Sequence, residues 1–143
     1  MADAIAKGAR LIVGGSACSD AAGKGRFFEP TLLADCTHDM DIMKTETFGP
    51  LLPVTAVRSD DEAVALMNDS DYGLTAAVFT DSVARVEGMA PLLEFGTVFA
   101  NRCDALDPAL PWGGLKQTGK GVSLSAHGFD SFVKLKGYHL KHP

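Results

Sequence analysis

Short apolar runs and helix-like repeats alternate along the chain, and their order predicts its secondary structure. Residues 2–7 have the pattern of a helix end closed by Gly8, and residues 10–13 have that of a strand. Residues 16–26 are rich in Gly, Ser and Ala, which predicts a mobile loop before an extended segment over 27–33. We therefore expect the N-terminal part of the chain to begin with the end of a helix and to continue as extended segments joined by loops.

A helix start signal follows in the middle of the chain. Residues 51–57 predict a strand, and Ser59 with Glu62 forms a capping box, in which a hydroxyl and a carboxylate accept hydrogen bonds from backbone N–H groups. The helix is expected to begin at Asp60. Its apolar residues share one face at a spacing of 3.6 residues, and this face is expected to pack on a sheet: Ala63, Val64, Leu66 and Met67.

Two further strands flank a second helix. Residues 75–79 and 97–100 predict the strands, and Pro91 should shorten or kink the helix between them. Strand, helix, strand, helix, strand with short links is typical of a parallel sheet with helical crossovers, so the predicted fold class is α/β. Residues 123–132 predict a short helix, and residues 132–140 predict a closing amphipathic strand.

The composition is that of an ordinary globular protein. Of 143 residues, 46% are hydrophobic and 22% charged, and 13 Lys and Arg against 18 Asp and Glu give a formal charge of −5. No basic stripe could follow phosphates, so we expect no nucleic-acid partner. No apolar run approaches the ~20 residues that cross a bilayer, and the N-terminus lacks the basic start of a signal peptide. We therefore expect a cytoplasmic protein with no membrane partner.

The cysteines and histidines predict neither a disulfide framework nor a metal site. Cys18, Cys36 and Cys103 make an odd count without CxxC spacing, and the four histidines show no HExxH pairing. Cys103 follows Arg102 at the end of a predicted strand, where α/β enzymes often place catalytic groups. We do not assign it as a nucleophile, because Asp104 offsets the cation that would favour a thiolate.

A loop before residue 51 combines a carboxylate with an aromatic ring. Glu46 is followed two residues later by Phe48, in the segment Thr45-Glu46-Thr47-Phe48-Gly49-Pro50. A carboxylate can accept two hydrogen bonds from a diol while the ring offers an apolar face, which suits a ribose and its attached ring. From these residues alone, the simpler interpretation of the loop is that Glu46 is solvated and that Phe48 lies in the core before a turn.

Residues 114–120 match the G-x-x-x-x-G-K pattern of a phosphate-binding loop. That loop requires Ser or Thr after the Lys to bind Mg²⁺, and it follows a buried strand. Here Gly121 follows Lys120, and Pro111 and Trp112 precede the motif, so we regard the match as accidental. A nucleotide hydrolase using this loop is the least favoured functional hypothesis, and a test of Mg-ATP binding would decide it.

Three ordered motifs resemble the C-terminal part of the catalytic domain of NAD(P)-dependent aldehyde dehydrogenases. They are Thr45-Glu46-Thr47-Phe48-Gly49-Pro50, the run from Asn68 to Phe79 containing Tyr72-Gly73-Leu74, and Trp112-Gly113-Gly114-Leu115-Lys116-Gln117-Thr118-Gly119. The resemblance covers about residues 8–140. It implies that Glu46 holds the nicotinamide ribose hydroxyls and that Phe48 lines the nicotinamide. In the second motif we expect no catalysis, and we expect Gly73 to take a positive φ after the helix.

The resemblance also implies a substrate pocket and a division of the chain. Asn101 resembles the family's Asn at a strand end, and Leu106 and Trp112 fall where side chains line the aldehyde tunnel; core packing of a surface loop is the alternative for them. Residues 1–131 are expected to form part of the catalytic domain. Residues 132–143 are expected to form an oligomerisation strand and tail.

The segments that carry the family's chemistry are not found among these 143 residues. There is no G-x-G-x-x-G turn, no Glu-Leu-Gly-Gly segment with the general base and no Gly-Gln-x-Cys nucleophile. The complete enzyme would oxidise an aldehyde to an acid with NAD or NADP, whereas this chain is expected to bind no cofactor, to contain no catalytic residue and to be inactive alone. We expect a homo-oligomer, with a dimer favoured. The alternative is a non-catalytic interaction module that pairs with itself or with a full-length homologue.

Overall fold

The first part of the chain, Met1–Asp69, forms a unit around a small mixed sheet. The structure is a computed structural model that describes residues 1–103 and 105–143. The elements of this unit are α1 (Ala2–Ala6), β1 (Arg10–Val13), β2 (Ala17–Cys18), β3 (Phe27–Phe28), β4 (Thr31–Ala34), α2 (Asp41–Lys44), β5 (Leu51–Pro53) and α3 (Asp60–Asn68). Strand β4 lies between β1, with which it is antiparallel, and β5, with which it is parallel.

The core of this unit forms where β4 meets the segment that follows it. Leu33, Cys36 and Met40 are at most 2% exposed and cluster with Ala4 and Ala9. Thr31 is the buried polar residue of the same strand. Its hydroxyl donates to the Glu29 carbonyl oxygen at 2.7 Å and accepts from the Gly15 N–H at 2.9 Å, so burial leaves it satisfied.

The segment 16–26 is more regular than its composition predicts. Strand β2 pairs antiparallel with β3, so a hairpin closes this stretch. Within the turn, Asp20 Oδ1 accepts hydrogen bonds from the N–H groups of Ala22 at 2.9 Å and Lys24 at 2.8 Å. One Asp side chain thus supplies the acceptors that organise the turn, and the mobility of this segment remains a prediction.

Helix α3 begins at Asp60, as the capping box predicts. The Ser59 hydroxyl accepts from the Glu62 N–H at 3.2 Å, and the Glu62 carboxylate accepts from the Arg58 N–H at 2.7 Å. The carboxylate therefore reaches one residue further back than the usual box, which pairs it with the cap residue itself. The four apolar residues of its predicted packing face are half-buried rather than fully enclosed.

The second unit, Ser70–Pro143, contains a helical crossover between two parallel strands. Its elements are β6 (Tyr72–Gly73), β7 (Thr75–Val78), α4 (Val83–Met89), a 3₁₀ helix (Ala90–Leu92), β8 (Thr97–Ala100), β9 (Leu115–Lys116) and a second 3₁₀ helix (Ala126–Phe132). Strand β7 pairs with β8 in register from Thr75↔Thr97, and β6 pairs antiparallel with β9. Pro91 lies in the 3₁₀ turn that ends α4, which confirms the predicted shortening.

The α/β class is confirmed, but the predicted strand arrangement is not. The sequence pattern suggested that the strands at residues 51, 75 and 97 share one parallel sheet. Strand β5 instead belongs to the sheet of β1 and β4, while β7 and β8 form their own two-stranded sheet. Local pattern identifies a strand, whereas its partner is decided by contacts between distant segments.

The C-terminal segment differs from its prediction. Residues 132–140 were expected to form a strand, yet Phe132 ends the second 3₁₀ helix and residues 133–143 form neither helix nor strand. Leu135 is fully exposed and Leu140 is 75% exposed. A strand needs a partner for its backbone N–H and C=O groups, and alternation alone does not supply one. Within the described residues, no helix is long and apolar enough to cross a membrane.

Candidate functional site

The loop over residues 45–50 is fixed at both ends and open in its middle. At its start, the Thr45 N–H donates to the Asp41 carbonyl oxygen of α2 at 2.8 Å. At its end, the Pro50 carbonyl oxygen accepts from the Thr31 N–H of β4 at 2.7 Å. Between these anchors Glu46 is exposed and Phe48 is 97% exposed. Among the residues that the structure describes, no cation lies within ion-pair distance of Glu46.

The exposure of Phe48 changes the interpretation of this loop. A core Phe was the simpler expectation from the local sequence, and it is wrong for this structure because almost the entire ring faces solvent. A large apolar ring in solvent beside an unpaired carboxylate is unusual for a turn that serves only to connect two elements. The predicted roles of Glu46 and Phe48 toward a cofactor remain predictions.

An ion-pair cluster holds the base of the loop. Asp69, at the C-terminal end of α3, lies 2.9 Å from the Lys44 ammonium and 3.1 Å from His38 Nδ1. Lys44 first, and His38 second, hold the pKa of Asp69 below its ordinary value. Because Lys44 is the last residue of α2, the cluster fixes the point from which the Glu46 loop departs.

Asn101 follows β8 and fastens it to the end of β7. Its side-chain Oδ1 accepts from the Thr80 N–H and its Nδ2 donates to the Thr80 carbonyl oxygen, both at 2.8 Å. Its own N–H donates to the Val78 carbonyl oxygen at 3.0 Å, and its φ is 55°. Asn tolerates this left-handed backbone better than most residues. The observed contacts of Asn101 are thus with the neighbouring strand end, and its predicted place in a substrate pocket remains a prediction.

A cavity of about 170 Å³ lies beside β8, and we name it the β8 cavity. Its lining is mostly apolar, with one acidic and one basic residue: Thr97, Phe99, Arg102, Ala105, Asp107, Leu110, Pro111, Trp112 and Leu124. Trp112, a predicted pocket residue, lines it. Leu106 is 58% exposed and is not part of this lining. Cys103 is exposed, and Asp104, whose charge was expected to offset that of Arg102, lies outside the described residues.

Two sets of backbone hydrogen bonds join the segments that line the β8 cavity. Trp112 and Ser123 exchange N–H···O bonds of 2.7 and 2.8 Å, which join the two ends of the intervening loop. The Ser125 N–H donates to the Pro108 carbonyl oxygen at 2.9 Å. Between these links, Leu124 has a φ of 62°, a strained backbone for a residue with a branched side chain. Sequence reasoning missed Leu124, because nothing local marks this conformation.

The glycine-rich segment after Trp112 is clamped to residues 70–73. The Gln117 N–H donates to the Asp71 carbonyl oxygen at 2.8 Å, and the Thr118 hydroxyl accepts from the Gly73 N–H at 2.7 Å. Lys116 Nζ lies 3.0 Å from the Ser70 carbonyl oxygen and 2.9 Å from Glu94 Oε2. These bonds bind the loop beside Trp112 to the strand β6.

The same geometry argues against a phosphate-binding loop at residues 114–120. Such a loop runs from a buried strand directly into a helix. Here β9, a two-residue strand with exposed side chains, lies inside the motif, and the next helical element begins only at Ala126. The Thr118 hydroxyl is already engaged by Gly73. Across residues 1–103 and 105–143, no group of three or more His, Cys, Asp or Glu residues could hold a metal ion.

Gly73 is required for a different reason than the one predicted. It does not have the positive φ that the sequence suggested. A Cβ at this position would lie 2.3 Å from the Glu94 carbonyl oxygen, so the absence of a side chain permits a close backbone approach. Gly96 is tighter still, because a Cβ there would lie 1.6 Å from the Gly113 carbonyl oxygen. Both glycines bring the segments around the Trp112 loop together.

Comparison with known proteins identifies relatives of almost the whole chain. Residues 1–137 match the sequence model of the aldehyde dehydrogenase family. The chloroplastic betaine aldehyde dehydrogenase of Beta vulgaris is 39% identical over 133 residues, which is 93% of this chain and 26% of that protein. The succinate-semialdehyde dehydrogenase [NADP(+)] 2 of Schizosaccharomyces pombe is 40% identical over 139 residues, which is 97% of this chain and 28% of that protein.

A solved structure shows the same fold. The indole-3-acetaldehyde dehydrogenase of P. syringae, a mutant in complex with NAD+ and IAA, superposes with a TM-score of 0.86 at 38% identity. The match covers 94% of this chain and 27% of that one. The chain thus spans about a quarter of the length of the relatives that it matches.

Proposed function

This chain belongs to the aldehyde dehydrogenase family, and we propose that it forms the C-terminal portion of that family's catalytic domain. In a complete enzyme it would take part in the oxidation of an aldehyde to a carboxylic acid with NAD+ or NADP+. The observation that carries this proposal is the loop of residues 45–50, which presents an exposed carboxylate and an exposed ring between two fixed ends.

The side chains of this loop fit one part of a dinucleotide. The Glu46 carboxylate offers two acceptor oxygens for a pair of ribose hydroxyls, and the Phe48 ring offers an apolar face for the nicotinamide. A bound NAD(P)+ would supply the hydride acceptor of the reaction. The residues of this chain would position the nicotinamide half, because the fixed loop ends reduce the freedom that binding has to remove. The β8 cavity and Trp112 would contribute to the substrate entrance.

A chimera tests this role directly. Residues 8–140 would replace the matching segment of the P. syringae indole-3-acetaldehyde dehydrogenase. We expect the chimera to reduce NAD+, and Glu46→Gln to raise its KM for NAD+ by about tenfold or more, because a charge-assisted hydrogen bond contributes about 1.5–3 kcal/mol. Glu87→Gln, on the exposed surface of α4, is the matched control. A folded chimera without activity, or an unchanged KM in Glu46→Gln, would contradict the proposal.

The 143 residues are proposed to be catalytically inactive on their own. Aldehyde oxidation in this family proceeds through a covalent intermediate, and the chain contains neither the Gly-Gln-x-Cys nucleophile nor the Glu-Leu-Gly-Gly base. We also expect negligible affinity for the isolated dinucleotide, because the ribose and ring contacts described above address only one part of it.

A non-catalytic interaction module is the second candidate function, and the C-terminal segment favours it. Large apolar side chains are exposed there: Phe132, Val133, Leu135, Tyr138 and Leu140. An extended chain with apolar side chains and unpaired backbone groups can add to the edge of another sheet. We propose that this segment mediates a homo-oligomer, with a symmetric dimer favoured. Gel filtration with and without a full-length homologue would separate self-association from pairing with the homologue.

A further inference from the structure

We propose that Asp3 is a positioning residue for the loop of residues 45–50: its carboxylate fixes the start of α2, and α2 carries this constraint to the residue before Glu46. This inference rests on the proposed function, since it gives a side chain of α1 a part in cofactor binding. Asp3 itself would touch neither cofactor nor substrate, because its effect passes through the backbone of Asp41.

Helix α2 has no cap of its own. Its N-cap residue, Met40, makes no side-chain hydrogen bond to the helix. The first N–H groups of a helix have no partner within that helix, so an acceptor must come from elsewhere. Asp3 supplies one, since its Oδ2 accepts from the Asp41 N–H at 2.9 Å. A carboxylate is favoured at a helix N-terminus, and Asp3 therefore replaces the usual local cap residue.

Asp41 connects this cap to the loop. Its N–H donates to Asp3, and its carbonyl oxygen accepts from the Thr45 N–H at 2.8 Å. Thr45 directly precedes Glu46 in the chain. Because the Glu46 side chain is exposed, its position depends on how firmly the backbone before it is held. Two hydrogen bonds through one residue thus lead from the Asp3 carboxylate to the start of the loop.

The Asp3 carboxylate is itself held in place by Lys7. Lys7 Nζ lies 2.9 Å from Asp3 Oδ1 and also donates to the Asp39 carbonyl oxygen, so the ammonium joins α1 to the segment before α2. Lys7 first, and the Asp41 N–H second, hold the pKa of Asp3 below its ordinary value. Asp3 is therefore an anion at neutral pH, which is the form that caps a helix best.

Apolar packing keeps α1 against α2 without help from the carboxylate. Ala4 and Met40 are at most 1% exposed and belong to one core cluster, with Ile42 and Met43 packed against it. The Asp3 side chain remains 31% exposed beside this core. Replacement of Asp3 is therefore expected to release the cap and leave the core folded.

Amide hydrogen exchange of the 143-residue chain, followed by NMR, measures the link. We expect Asp3→Ala to raise the exchange rate of the Thr45 N–H about fivefold, the effect of losing a typical helix cap. Glu87→Ala removes the same charge from the exposed surface of α4 and is the matched control. An unchanged rate at Thr45 would overturn the inference. An equal rise at all amides of residues 1–69 would overturn it too, because that result indicates general destabilisation.

The variant Asp3→Asn separates the charge from the shape of the side chain. It keeps one acceptor oxygen for the Asp41 N–H and loses the ion pair with Lys7. Charge-assisted hydrogen bonds are roughly twice as strong as neutral ones, so the Thr45 rate should lie between those of the unaltered chain and Asp3→Ala. Should Asp3→Ala fail to fold, Asp3→Asn decides: a rise of about twofold supports the inference, and an unchanged rate overturns it.

A longer chimera tests the effect on cofactor binding. It carries residues 2–137, within the extent of the family match, in place of the corresponding segment of the P. syringae enzyme. We expect Asp3→Ala to raise its KM for NAD+ about fivefold and to change kcat less than about twofold. The reason for this split is that Asp3 acts on the position of a binding group and not on the reacting atoms.

The activity of this chimera decides the proposed function, and the comparison of its variants decides the role of Asp3. A folded chimera that oxidises no aldehyde would refute the proposed function, and the exchange rates of the 143-residue chain would then decide whether Asp3 holds the loop. An active chimera in which Glu46→Gln raises the KM for NAD+ and Asp3→Ala does not would refute the inference alone. A raised KM in both variants supports both.

Discussion

The hydroxyl of Thr118 accepts a hydrogen bond of 2.7 Å from the backbone N–H of Gly73, which lies 45 residues earlier in the chain. Gly73 is buried, so this N–H has no ready access to water if the hydroxyl is removed. The bond joins the glycine-rich loop to strand β6 and, with it, supports the wall that Trp112 forms.

Removal of the Thr118 hydroxyl should therefore destabilise the protein. We expect Thr118→Val to lower the free energy of unfolding by about 1–3 kcal/mol, the cost of a buried donor without a partner. Thr118→Ser keeps the hydroxyl and should recover most of this loss. Urea unfolding followed by Trp112 fluorescence measures both variants, and equal stability of Thr118→Val and the unaltered chain would contradict the prediction.

Two glycine substitutions should have opposite effects. In Gly96→Ala the new Cβ would lie 1.6 Å from the Gly113 carbonyl oxygen, so the backbone must move and the free energy of unfolding should fall by about 1–3 kcal/mol. In Gly88→Ala the Cβ meets nothing within 4 Å and lies inside α4, where Ala is favoured over Gly by about 0.5–1 kcal/mol. Thermal unfolding should show a lower Tm for the first variant and a higher Tm for the second. A similar shift in both would rule out the close contact at Gly96.

The ion pairs of Asp69 should make stability depend on acid pH. Lys44 and His38 hold the pKa of Asp69 below its ordinary value of 3.8 in the folded protein. A carboxyl group whose pKa is lower in the folded protein than in the unfolded chain stabilises the fold at pH values above the unfolded pKa. This stabilisation is lost as the pH falls from the unfolded pKa through the folded pKa. Asp69→Asn should lower stability at neutral pH and reduce the loss of stability on acidification.

Asp71→Asn is the matched control for this pH effect. Among the described residues, its carboxylate takes part in no ion pair. Urea unfolding at neutral pH and near pH 3 compares the variants. The role of Asp69 would be excluded if both substitutions gave the same pH dependence as the unaltered chain.

The chain alone should produce no NADH or NADPH from an aldehyde. Hydride transfer in this family requires a thiol adduct, and no segment of the 143 residues matches the nucleophile motif. Cys103 is exposed and could in principle form an adduct, so it supplies the control. Cofactor reduction above the blank that disappears in Cys103→Ala would overturn both the expected inactivity and the assignment of Cys103 as non-catalytic.

The exposed C-terminal segment should mediate a dimer. We expect sedimentation at tens of micromolar to give a dimer that buries more than about 1,000 Å², the minimum for a specific interface. Leu135→Glu should shift the equilibrium toward monomer, because Leu135 is fully exposed in the isolated chain and would be covered in the dimer. Val83→Glu alters an exposed apolar residue of α4 and should leave the dimer intact. A strict monomer for the unaltered chain would remove the basis for the dimer.

Local signals in the sequence located most helices and strands. Strands β1 and β8 lie at their predicted residues, α3 begins at its capping box, and Pro91 ends α4. The hairpin over residues 16–26 was not predicted, because the Asp20 turn depends on one side chain rather than on average composition. The local residues alone favoured a core Phe48, because aromatic residues are more often buried, and the 97% exposure of Phe48 contradicts that interpretation.

The sequence by itself determined the family and the local starts and stops of the elements, because capping groups, prolines and ordered motifs act within a few residues. Tertiary structure decided which strands pair, so that β5 joined β4 rather than β7. It also decided that Gly73 is needed for close backbone approach and that Leu124 lines the β8 cavity. These features depend on distances between segments far apart in the chain, and no short pattern records such distances.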